Sequence, residues 1–124
     1  MRVFICAISI FAAGAMACRD SSGTTTTTSA GLVPNDVASQ QVAVARCSHE
    51  SACNNIGPDK AYRTIDTCLD KMKTDADARF QDCSNGVDSN ELGQCFSDIR
   101  REACGNPVDA MSRILACSKT NLCR

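Results

Sequence analysis

The chain contains no tryptophan, one tyrosine and four phenylalanines in 124 residues, so the large side chains that dominate an ordinary hydrophobic core are scarce. Apolar burial alone is therefore too thin to hold the fold. Charge of one sign is also lacking, because 13 Lys and Arg stand against 14 Asp and Glu for a net charge of −1. No basic block is longer than Arg100-Arg101. That balance excludes the electrostatic footprint that nucleic acids and anionic membrane surfaces select, and no nucleic-acid partner is expected. Histidine occurs once, at His49, and no C-x-x-C spacing exists. The first absence leaves Ser-His-Asp and Cys-His arrangements without a supporting motif, and the second removes the usual spacing of thioredoxin-like redox sites.

Cysteine is what the chain has in quantity, ten in 124 residues, a density found where small domains in oxidising compartments are held by disulfides. The amino-terminal residues agree with that compartment. Met1-Arg2 supplies a short positive end, and residues 3–13 are apolar except for Ser9. This is the length of a signal-peptide core rather than of a membrane span. Gly14-Ala15-Met16-Ala17-Cys18 follows and looks like a bacterial lipobox, with Cys18 as the acylated first residue. Ala15-Met16-Ala17 is also an A-x-A site for simple secretion.

Counting separates the two. Removing Cys6 with the signal leaves an odd number of cysteines, whereas lipidating Cys18 leaves eight, all between Cys47 and Cys123, enough for four bridges. The chain is accordingly read as a signal peptide over 1–17, a lipidated Cys18 with a disordered Ser/Thr-rich tether over 18–35, and a disulfide-rich helical domain over 36–124. A tether of that length reaches roughly 20 to 25 Å as a flexible coil. Two or three acyl chains would hold the protein on a bilayer, each buried CH2 adding about 0.8 kcal/mol.

Four segments of the domain carry helical periodicity with start and stop signals, and none shows the alternation of a strand. The expected fold is all-α, a small disulfide-stapled antiparallel bundle of about four helices. The first helix is expected over 36–53, capped by Asn35 or Asp36. One side carries Val37, Gln41, Val44, Cys47 and Ser48, widened by Ala38, Val42 and Ala45. The second runs over 64–80, with Ile65, Cys68, Leu69, Met72, Ala76 and Phe80 or Arg79 inward. Asp88-Ser89-Asn90-Glu91 is a capping box opening the third, whose stripe is Leu92, Cys95, Phe96, Ile99 and Ala103, with Gly105 closing it. Asn106-Pro107-Val108-Asp109 places a cap, a first-turn proline and an acid at the start of the fourth, with Val108, Met111, Ile114 or Cys117, and Leu115 as its apolar face.

Antiparallel helices joined by short loops restrict the pairing. Cys47 and Cys68 face each other across the first loop, and Cys95 and Cys117 across the Gly105 loop. Cys53 and Cys104 fall at one end of the bundle, Cys83 and Cys123 at the other. The expected bridges are Cys47 with Cys68, Cys95 with Cys117, Cys53 with Cys104 and Cys83 with Cys123.

Little catalytic chemistry is on offer. Cys47, His49 and Cys53 could be drawn as a C-x-H-x3-C metal cluster, yet all three would come from one helix with no fourth ligand. Paired cysteines and an exposed His49 are the preferred reading, with no metal and no cofactor. Asp66, Asp70, Asp75, Asp77 and Asp82 alternate with Lys71, Lys73 and Arg79, the pattern of a solvated helix face, and Arg100, Arg101 and Glu102 read as surface. No catalytic residue is assigned.

The run Ala45-Arg46-Cys47, Glu50 and Cys53-Asn54-Asn55-Ile56-Gly57-Pro58-Asp59-Lys60, with Glu102, Cys104-Gly105-Asn106-Pro107, Cys117 and Cys123, resembles an uncharacterised family of short cysteine-rich lipoproteins from myxobacteria-type Gram-negative bacteria. The resemblance spans the domain over 36–124 and, through Cys18, the anchor. It implies a compartment and a cysteine framework, with no activity attached. Arg19 after the Cys points to the outer membrane, since inner-membrane retention commonly uses Asp there. The expectation is a non-catalytic envelope module anchored through Cys18, with an envelope protein or glycan as its partner. The alternatives are plain secretion, and a small enzyme or inhibitor using carboxylates such as Asp66, Asp70 or Glu102 in a cleft.

Overall fold

The computed structural model describes residues 31–124. The signal peptide expected over 1–17, the lipidation of Cys18 and the tether up to residue 30 lie outside the described residues. Helices dominate the rest, as the periodicity predicts: α1 (Asn35–Ala52), α2 (Ile65–Phe80), α3 (Ser89–Arg101), α4 (Pro107–Ala116) and a single turn, α5 (Lys119–Leu122), that periodicity does not reveal. Two two-residue strands, β1 (Leu32–Val33) and β2 (Val87–Asp88), pair antiparallel, with Leu32 opposite Asp88 and Val33 opposite Val87. Among the described residues no helix is long and apolar enough to cross a membrane.

The strands correct the reading of 18–35 as tether throughout. Leu32 and Val33 are half-buried, and the Gly31 carbonyl accepts the Ser89 N–H at 2.8 Å. Gly86 allows this approach, because at φ 104° a Cβ there would stand 2.8 Å from the Val33 carbonyl oxygen, too close for any other residue. Asn35 is likewise no cap. It is the first residue of α1, and its Nδ2 donates to the Cys83 carbonyl at 3.1 Å.

The other helix starts follow their local chemistry. Thr64 Oγ1 accepts the Thr67 N–H at 3.2 Å, Asp88 Oδ1 accepts those of Asn90 and Glu91 at 2.9 and 3.0 Å, and Asn106 Oδ1 accepts that of Val108 at 3.0 Å before Pro107 in the first turn. Each satisfies an N–H that the helix itself leaves free. Asp88 also receives Arg124 Nε at 2.9 Å. The Glu91 N–H bond, followed by Arg124 and Asn90, holds its carboxyl below the ordinary value against the opposing effect of burial.

Two helical hairpins make the body, α1 against α2 and α3 against α4, and α1 packs on α3 to join them. The disulfides follow the same division. Cys47–Cys68 closes the first hairpin and Cys95–Cys117 the second, with Cα separations of 5.9 and 4.8 Å. Cys53–Cys104 and Cys83–Cys123 tie one hairpin to the other, at 5.5 and 4.9 Å. These are the partners that the order of the helices pairs. Five of the fourteen buried apolar residues are half-cystines, so sulfur occupies space that aromatic rings would fill elsewhere. Phe80 is the largest side chain in the core, with Leu92, Ile99, Val87 and Leu122 around it.

One expected stripe turns out to face solvent in part and another throughout. In α1 the buried residues are Ala38, Ser39, Val42, Ala43 and Cys47, while Val37, Gln41, Val44 and Ser48 are exposed. Small side chains on the inner face let α2 approach closely, and this outweighs the larger but isolated valines. In α4 nothing but its C-terminal neighbour Cys117 is buried, and Val108, Met111, Ile114 and Leu115 are 49–73% exposed. The inward positions of α4 are taken by Arg113 and Asp109. The Asp109 carboxylate accepts the Ala103 N–H at 3.0 Å, and Arg113 reaches Glu102. Ile65 in α2 and Ala103 after α3 are also exposed rather than inward.

Candidate functional site

Three features meet at the end of the bundle where α1 runs into the loop of 53–64 and α3 turns into α4. The first is a charged cluster. α3 ends at Arg101, and the extended backbone of Glu102 swings its side chain between α1 and α4 instead of leaving it on the surface, where the solvated-face reading had it. Glu102 Oε2 accepts from Arg46 Nη1 at 3.2 Å and from Arg113 Nε at 2.5 Å. Arg46 Nη2 also reaches Glu50 Oε1 at 3.0 Å, one turn along α1, and Asn55 Nδ2 donates to Glu50 Oε2 at 2.7 Å. The four charged side chains are only 10–13% exposed.

Two cations and two anions cancel there, which is what makes such burial tolerable. Burial and then the neighbouring Arg113 lower the Arg46 guanidinium from its ordinary value, against Glu102 and Glu50, which raise it. Arg100 and Arg101 remain on the surface as expected, Arg101 pairing with Asp98 at 2.9 Å.

The second feature is His49. It is half-buried, not exposed, because its Nε2 stands 2.8 Å from the carbonyl of Glu102 and so donates to it. Cys53 Sγ lies 3.6 Å from Nε2 and 3.9 Å from Nδ1. The grouping of metal-ligand type is thus His49, Cys53 and Cys104, whose donor atoms all lie within 4.8 Å of one another. Cys47, which the C-x-H-x3-C drawing included, points to the other side of α1 and is buried against Cys68. Cys104 enters through the Cys53–Cys104 bridge expected from the helix order, not through any spacing within the first helix.

A groove of about 560 Å³ between α1 and α3 is the third feature, floored by Val44, Ala45, Ala52, Phe96 and Ile99 and rimmed by Gln41, Ser48 and His49. Phe96 is only half-buried because one side of its ring belongs to this groove. A smaller depression of about 290 Å³ lies between Asp98, Arg101, Glu102, Asp109 and Ser112. The Glu102 carboxylate at its edge is occupied by two arginines. Asp66 and Asp70 stand on the exposed side of α2, where Lys71–Asp75 and Lys73–Asp77 form one-turn pairs at 3.5 and 2.6 Å. The Lys73 hydrogen bond lowers the Asp77 carboxyl from its ordinary value. The structure therefore does not bring Asp66, Asp70 and Glu102 together.

Among protein families, residues 47–124 match a family of unknown function, DUF6184. No curated protein matches the chain, and no solved structure does.

Proposed function

Because the chain belongs to the family of unknown function DUF6184, membership brings no activity, and we propose that it is a non-catalytic interaction module of the bacterial cell envelope. In this reading Cys18 carries the lipid, residues 19–30 form the spacer, and the disulfide-locked domain is displayed from the outer membrane to an envelope protein. The observation that carries it is the outward apolar stripe of α4. Val108, Met111 and Leu115 recur at i, i+3 and i+7 with Ile114 beside them, the spacing of a helix face built for burial, yet all four face solvent. Exposed apolar faces of this kind are where partners dock. The four bridges support the same reading, since a rigid surface spends little conformational entropy on binding.

Crosslinking in cells tests the proposal. A photo-reactive side chain at Met111 is expected to capture one envelope protein reproducibly, and the same probe at Thr74, on exposed α2, is expected to capture none. Loss of an enzymatic hydrolysis in Glu102→Ala, with no crosslinked partner, would instead favour the small-enzyme alternative. Intact mass of protein from its native host checks the anchor, which requires a Cys18 amino terminus bearing diacylglycerol.

A further inference from the structure

We propose that the Cys53–Cys104 bridge is a reducible clasp, and that opening it creates a three-donor site for a soft cation, built from the two sulfurs and the His49 imidazole. Thiolates and imidazole are the donors that Zn2+ and Cu+ prefer over harder ions. The three residues come from two places in the fold: His49 and Cys53 from the end of α1, and Cys104 from the turn between α3 and α4. Tetrahedral bonds of about 2.3 Å to sulfur and 2.0 Å to nitrogen place sulfur and nitrogen about 3.5 Å apart and two sulfurs about 3.8 Å apart. Cys53 Sγ already stands 3.9 Å from Nδ1, the nitrogen left free, and the three residues offer donor atoms within 4.8 Å of one another. The two sulfurs must separate and Cys104 Sγ must close on the ring by about an ångström, both by rotation of side chains that the bridge no longer constrains.

His49 is held as metal-binding histidines are. Donation from Nε2 to the Glu102 carbonyl at 2.8 Å fixes the ring and leaves the Nδ1 lone pair free, the arrangement in which an outer hydrogen bond sets the tautomer of a ligand. Access differs among the bridges. Cys104 is exposed and Cys53 half-buried, whereas each of the other three has at least one buried half-cystine. Opening this bridge also leaves its surroundings tied, because Glu102, two residues from Cys104, still joins Arg46, three residues from His49, and Arg113 of α4, and Cys83–Cys123 still joins the two hairpins.

The chemistry balances with a dithiol as reductant. The dithiol gives two electrons and two protons and becomes a disulfide, and the Cys53–Cys104 S–S bond breaks to two thiols. The cation then displaces both thiol protons and binds two thiolates and His49 Nδ1, with a fourth position left for water.

The test uses the oxidised protein, a limiting amount of a phosphine reductant that does not itself bind the metal, and Co2+ and Zn2+ as probes. Alkylation mapped by mass spectrometry is expected to find Cys53 and Cys104 free first. Co2+ should then saturate at one equivalent with a thiolate-to-metal absorption band, and Zn2+ should displace it and protect both sulfurs from alkylation. Since changing even an outer-shell partner costs roughly 10- to 100-fold in metal affinity, removing the ligand in His49→Ala should weaken Co2+ binding by at least about 10-fold. His49→Gln, which can keep the donation to the Glu102 carbonyl without a ring nitrogen, should do the same and covers the case in which the alanine variant misfolds. Co2+ affinity unchanged in both variants, prior opening of any other bridge, or no thiolate band in the wild-type protein would overturn the proposal.

Discussion

Replacing Glu102 with alanine removes the one carboxylate that two half-buried arginines share. Arg46 at 3.2 Å and Arg113 at 2.5 Å would then face each other, with Glu50 alone to balance them, in a place where Arg113 already lowers the Arg46 guanidinium. Breaking a fully buried ion pair costs about 3–5 kcal/mol, and an exposed pair contributes about 0–1 kcal/mol. Side chains 10–13% exposed lie nearer the first limit, so a loss of about 3 kcal/mol is expected. For a domain of this size each kcal/mol moves the melting temperature by roughly 4–8 °C, which puts Glu102→Ala roughly 12–24 °C below wild type. Urea unfolding with the disulfides intact, followed by circular dichroism, measures this directly. A double-mutant cycle with Arg113→Met isolates the pair, because removing both partners should cost less than the separate losses added together. The difference should also survive raised salt, since a buried pair is poorly screened. A loss below about 0.5 kcal/mol, the range of ordinary surface substitutions, would refute the argument that this cluster is desolvated and joins α1, α3 and α4.

Complete reduction of all four bridges is expected to abolish most helical dichroism, because each closed loop contributes about 3–4 kcal/mol in the chain-entropy account and the core contains few large side chains; an unchanged melt would mean that apolar packing suffices. Met111→Glu combined with Leu115→Glu should leave the melting free energy within about 0.5 kcal/mol of wild type, as expected for surface positions, while removing the crosslinked partner. Asp88→Asn should lower the melting temperature at pH 7 and match wild type in acid. The folded Asp88 carboxyl is held below its ordinary value, so its contribution is complete above an unfolded value of about 4 and vanishes as pH falls through the folded one. Melting curves across pH 2–7 that run parallel for the two proteins would contradict this.

Local chemistry made much of the fold legible. Thr64, Asp88 and Asn106-Pro107 mark helix starts through hydrogen bonds within three residues, and such bonds need no knowledge of the rest of the chain. The pairing of the cysteines was also accessible, because helix lengths and short loops decide which residues share an end of the bundle. β1 was not, since two residues carry no periodicity and their partner Val87 lies more than fifty positions away. The outward turn of α4 was hidden for another reason. Its apolar spacing is what an inward face shows, and only the bonds that Asp109 and Arg113 on the opposite side make to Ala103 and Glu102 reverse it.

The candidate site divides along the same line. His49 and Cys53 share one helix end and the helix order brings Cys104 to Cys53, but Glu102 reaches them only because α3 stops at Arg101 and its chain turns back toward α1. By itself the sequence determined the helical class and the disulfide partners, since these follow from composition and from spacing along the chain. Tertiary structure alone decided which apolar stripe meets solvent and which charges converge, because those outcomes depend on how whole helices compete for one small interior.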